Sequence, residues 1–66
     1  MIKEVKMTFE LIITRQSGVE KKEEPTESDA EITAEDLVLE AEKNKENCQI
    51  IVIRGGEPLH AFIAMP

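Results

Sequence analysis

Tryptophan and tyrosine are absent from this chain, and phenylalanine occurs only at Phe9 and Phe62. So few aromatics leave no stacking platform of the kind that single-strand nucleic-acid binders and small carbohydrate sites rely on. Cysteine and histidine each occur once, at Cys48 and His60. No disulfide can therefore staple the fold, and one thiol with one imidazole cannot complete a structural zinc site within one subunit. The lone thiol points to a reducing, cytoplasmic setting. Long apolar runs are missing as well. Charges begin at Lys3 and Glu4 and alternation follows, so neither a signal peptide nor a membrane span is expected.

Positive charge is scarce: 8 Lys and Arg stand against 14 Asp and Glu, for a net charge of −6. A nucleic-acid backbone would be repelled, so direct nucleic-acid binding is not expected. Length is short too, at 66 residues. A domain of this size buries only about 60% of its unfolded surface. For such chains apolar burial and conformational entropy come close to cancelling, so one small α+β domain helped by a second subunit is the expected solution.

What is present begins with a strand. Val5, Met7, Phe9, Leu11 and Ile13 are apolar at alternate positions, while Lys6, Thr8, Glu10 and Thr14 fill most of the others. Ile12 breaches the polar side. Arg15-Gln16-Ser17-Gly18 supplies turn chemistry, after which residues 19–31 are Lys, Glu, Ser, Thr and Asp around Pro25, with little apolar content. Such a stretch cannot offset its ordering entropy by burial and reads as a mobile, solvated acidic loop. A short return strand at residues 19–23 would convert the layout to ββαββ, with Val19 as its sole apolar member.

A helix is expected from Ala34. Thr33 and Asp36 have the spacing of a capping box, Ile32 and Leu37 that of a hydrophobic staple, and Glu35 and Asp36 complement the positive helix end. Ala34, Leu37, Val38 and Ala41 form one apolar stripe. Asn44 or Asn47 is expected to close the helix in a left-handed conformation. Residues 48–53 and 59–65 are apolar runs around Arg54-Gly55-Gly56-Glu57, a hairpin with glycines at the positive-φ positions. A regular register pairs Val52 with Leu59, Ile50 with Ala61 and Cys48 with Ile63, which leaves Ile51, Ile53, His60 and Phe62 on the other face with Ile12.

The expected architecture is a small two-layer α+β sandwich: a three-stranded, mostly antiparallel sheet in the sequence strand–loop–helix–strand–strand, with one helix on one face. Placing the C-terminal strand between the first strand and residues 48–53 keeps every pairing antiparallel. A parallel pairing of the first strand with residues 48–53 is the other arrangement. Either way one helix shields one face. Ile12, Ile51, Ile53, His60 and Phe62 then make an apolar second face, expected to meet its own copy or a partner.

Candidate chemistry is sparse. His60 lacks an orienting carboxylate or nucleophile in its sequence neighbourhood, and Cys48 lacks an adjacent cation to activate it, so no catalytic residue is assigned. Glu20, Glu23, Glu24, Glu27, Asp29 and Glu31 are rich in oxygen but lack calcium-loop grammar, so no metal and no cofactor is assigned. Gly55-Gly56 precedes no helix and no Lys-Ser/Thr pair, so it is a turn and not a phosphate cradle.

These features favour a non-enzymatic, dimeric interaction module that regulates or inhibits another protein, a class that phages and mobile elements encode. In one version the acidic residues mimic a nucleic-acid backbone and occupy a basic cleft. The alternatives are a ligand-binding or enzymatic subunit with a site shared between chains through His60, and a structural subunit of a larger assembly.

Overall fold

The computed structural model describes residues 8–65. The expected strand positions Val5 and Met7 lie outside the described residues. Strand β1 (Phe9–Arg15) opens the fold, with Phe9, Leu11 and Ile13 buried on one side. It turns at Gln16-Ser17 into β2 (Gly18–Glu24), and the two pair antiparallel from Arg15↔Gly18 to Phe9↔Glu24. The segment expected as an acidic loop is thus a strand followed by the start of a helix. Its hydrogen bonds come from β1, so apolar side chains are not required to hold it. As an outermost strand bearing Lys21 and Lys22 it also suits an edge that resists further pairing.

Helix α1 (Glu27–Lys43) starts seven residues earlier than the Ala34 expected from sequence. Thr26, and not Thr33, is the N-cap: its hydroxyl accepts the Asp29 backbone N–H at 3.1 Å. Thr26-x-x-Asp29 and Thr33-x-x-Asp36 share one spacing, and the first lies where the chain leaves β2. The buried stripe accordingly begins at Ala30 and continues through Ala34, Leu37 and Ala41, while Ile32, expected in a staple, lies exposed within the helix. Thr26→Ala should cost about 1 kcal/mol of stability, whereas Thr33→Ala should cost less than half as much. Urea midpoints for the two variants compare the caps directly, and equal losses would refute this helix start.

At the other end the Lys45 N–H bonds to the Glu42 carbonyl at 3.2 Å and the Glu46 N–H to the Ala41 carbonyl at 2.8 Å. This is the Schellman closure. The left-handed residue is Lys45, with φ of 53°, in place of the expected Asn44 or Asn47; Asn44 is the C-cap with φ of −88°.

Strands β3 (Cys48–Arg54) and β4 (Glu57–Ala64) form the second hairpin, with Gly55 and Gly56 at φ of 57° and 81°. Both turn positions need positive φ, as the sequence indicates. Among the described residues the sheet has four strands in the order β2-β1-β3-β4, not three, and every pairing is antiparallel. The strand beside β1 is β3, not the C-terminal strand. β3 is apolar on both faces, and a central place gives both its edges partners. β4 carries Pro58, which has no N–H to donate, and takes an edge.

One irregularity changes the outcome. Arg54 pairs with Glu57 and Ile53 with Pro58, but Val52 pairs with His60, so Leu59 is a surplus residue in a β-bulge. The expected pairs Val52–Leu59, Ile50–Ala61 and Cys48–Ile63 are replaced by Val52↔His60, Ile50↔Phe62 and Cys48↔Ala64. Side chains alternate along a strand, so this one-residue shift exchanges the faces of β4 beyond the bulge.

The core lies between α1 and one face of the sheet. Leu11, Ile13, Ile50 and Val52 are its largest fully buried side chains, joined by Phe9, the alanines of α1, Cys48 and Ala64. Val38 and Phe62 pack against it from the rim. The Arg54 guanidinium lies 5.8 Å from the Phe9 ring centroid and caps the core at that end through a cation–π contact.

Candidate functional site

Two places on the fold gather the residues singled out by sequence. The first is the sheet face away from α1. Strand registers arrange it in three rows: Val19, Thr14, Gln49 and Ile63; Lys21, Ile12, Ile51 and Ala61; Glu23, Glu10, Ile53 and Pro58. Polarity is graded across the rows. On the β2 side Lys21 Nζ pairs with Glu10 Oε2 at 3.2 Å. On the β3–β4 side the surface is almost wholly apolar. Ile12, Ile51 and Ile53 are half-buried there by their neighbours alone, and Ile63 is exposed. An open groove of about 480 Å³ continues this surface at the Cys48 end of the sheet, between Arg15, Gln49, Ile63 and Met65.

His60 and Phe62 do not belong to this face. The bulge turns them toward α1, where Phe62 joins the core rim and His60 meets the helix. The expected five-residue surface thus keeps Ile12, Ile51 and Ile53, loses His60 and Phe62, and gains Ala61 and Ile63 from the other parity of β4.

The second place is where His60 meets α1. Glu27 and Glu31 lie one helical turn apart, so both carboxylates project from one side of α1. His60 Nε2 lies 3.2 Å from Glu27 Oε1 and 3.3 Å from Glu31 Oε1. The Phe62 ring flanks the imidazole with centroids 6.4 Å apart and planes tilted by 52°. His60 therefore has two carboxylate neighbours that sequence proximity did not suggest, since Glu27 lies 33 positions away. What conceals them in the sequence is the reading of residues 19–31 as a loop. Once Thr26 is taken as the cap, Glu27 and Glu31 become an i, i+4 pair on a helix.

The remaining acidic residues do not join them. Glu20 and Glu24 lie on the α1 side of β2 and Glu23 on its other side, at the sheet edge opposite β4. Asp29 sits in the first turn of α1, its backbone N–H held by Thr26. The acidic residues thus make no single patch. Cys48 is buried at the start of β3, packed in the core as a small apolar group. Among the described residues no helix is long and apolar enough to cross a membrane. Compared with protein-family models, curated proteins and solved structures, the chain matches none.

Proposed function

We propose that the chain is a non-enzymatic interaction module, a homodimer closed through the sheet face that α1 leaves uncovered, and that the dimer regulates or inhibits another protein. The observation that carries this reading is the apolar β3–β4 half of that face, where Ile51, Ile53 and Ile63 have no covering layer. A second copy fits it by charge. The chain carries −6 overall, but its carboxylates concentrate on α1 and β2, so a two-fold axis over β3–β4 joins surfaces nearly free of charge. The Glu10–Lys21 pair then falls at the rim. Four strands about 4.8 Å apart and about 23 Å long give a footprint of roughly 450 Å². Two such faces in full overlap bury about 900 Å², the size of a small, weak interface. Light scattering coupled to size exclusion should return twice the chain mass at micromolar concentration, and a monomer there would refute the dimer.

With that face buried, the surface left for another partner is the outer side of α1, where Glu35, Asp36, Glu40 and Glu42 are exposed. Its complement is a basic protein surface, and the association should be strongly screened. Affinity for such a partner is expected to fall at least tenfold between about 0.05 and 0.5 M salt, as the screening length shortens from roughly 14 to 4 Å. Salt-independent binding, measured by calorimetry, would refute an acidic docking surface.

A further inference from the structure

We infer that Glu27, Glu31 and His60 together form a binding site for one divalent transition-metal ion of the zinc class, at the junction of α1 and edge strand β4. Their ligand atoms all lie within 4.8 Å of one another, with the imidazole nitrogen 3.2 and 3.3 Å from the two carboxylate oxygens. Ligands held about 2.0 to 2.2 Å from a tetrahedral ion stand roughly 3.4 Å apart. Two of the three separations already have this size. The third closes by side-chain rotation, which is open to Glu27 and Glu31 because their side chains are 50% and 42% exposed.

Within the trio the imidazole can serve only one of the two carboxylates through Nε2. Nε2 has room for one hydrogen, yet two carboxylate oxygens approach it. The contact to Glu27 has the geometry of a hydrogen bond, and Glu31 is left with a near neighbour only. The carboxylates also repel each other across one helical turn. A dication removes both conflicts, because it neutralises the two charges and accepts the Nε2 lone pair. The placement of His60 is a separate observation. Because Leu59 is left out of the pairing, His60 lies opposite Val52 on the helix side, and Phe62 flanks it there.

Ligand chemistry selects the metal. Calcium and magnesium prefer oxygen shells of six or more, whereas one imidazole with two carboxylates suits zinc, cobalt or nickel, with water completing the shell from solvent. The site lies on the opposite side of the sheet from the proposed dimer face, so the two stand or fall separately.

The full-length chain, freed of metal by chelation, is titrated with zinc and with cobalt. Calorimetry should give one ion per chain. At hundredfold excess over Kd, zinc should raise Tm by about 10 °C or more. Cobalt should produce the visible absorption of a low-coordinate site. His60→Gln and Glu27→Gln should each weaken binding at least tenfold, while Cys48→Ser and Glu35→Gln should leave it unchanged. Comparing Tm with and without ion within each variant separates binding from any change in intrinsic stability. No zinc effect, a zinc effect that survives His60→Gln, one that disappears in Cys48→Ser, or an equal response to calcium would each overturn the assignment.

Discussion

Ile51→Glu is expected to give a folded monomer. The residue sits in the middle row of the uncovered face, paired with Ile12 on one side and Ala61 on the other. In the isolated chain a glutamate there reaches water, so the fold should persist. In the proposed dimer the two-fold axis brings in the substitution twice, and two carboxylates enter an apolar contact with no cation to receive them. Association should weaken at least a hundredfold, or about 2.7 kcal/mol. Leu39, 62% exposed on α1, is the control: Leu39→Glu adds the same charge far from the face and should leave the dimer intact. Light scattering with far-ultraviolet circular dichroism reads both mass and fold. A variant that stays dimeric at concentrations near the wild-type Kd would show that the contact lies elsewhere.

Next to Ile51, substitution should act on stability instead. Ile50 is fully buried beneath α1, opposite Phe62. Ile50→Ala should cost about 3 kcal/mol through lost transfer energy and the cavity left behind. A chain of 66 residues has roughly 3 to 10 kcal/mol in total, so much of the folded population is at stake. Ile12→Ala, on the other face, should cost less than about 1 kcal/mol. Both are best measured by urea unfolding in the Ile51→Glu background, where subunit dissociation does not contribute. Equal costs would mean that the two sheet faces are not buried as described.

Periodicity revealed the elements that bury one side. The alternation through Phe9, Leu11 and Ile13, the Gly55-Gly56 hairpin and the stripe from Ala34 to Ala41 all appear as expected. Strand β2 is legible only as the alternative return strand at residues 19–23, because an edge strand exposed on both faces has no alternation to detect; its order comes from backbone hydrogen bonds to β1. The early start of α1 escaped because two capping signals share one spacing and Ala30 contributes little hydrophobic contrast. The strand order followed from these omissions, since β2 occupies one side of β1 and leaves the other to β3.

The candidate surfaces were legible in the same uneven way. Ile12, Ile51 and Ile53 could be assigned to one face because each lies in a regularly paired segment. His60 and Phe62 could not, because their side is decided by a bulge that local composition does not announce. The approach of His60 to Glu27 and Glu31 adds a second difficulty: it is a contact between a strand and a helix distant in sequence, and only packing creates it.

Leu59 marks the place where the pairing of β4 skips a residue. The orientation of everything downstream depends on that skip. Removing Leu59 would straighten the strand and still leave His60 opposite Val52 and Phe62 opposite Ile50, so a one-residue deletion here should be tolerated. Drawing Leu59 into the ladder opposite Val52 would instead turn β4 inside out, sending an imidazole and a phenyl ring to the water side and Ile63 toward the helix.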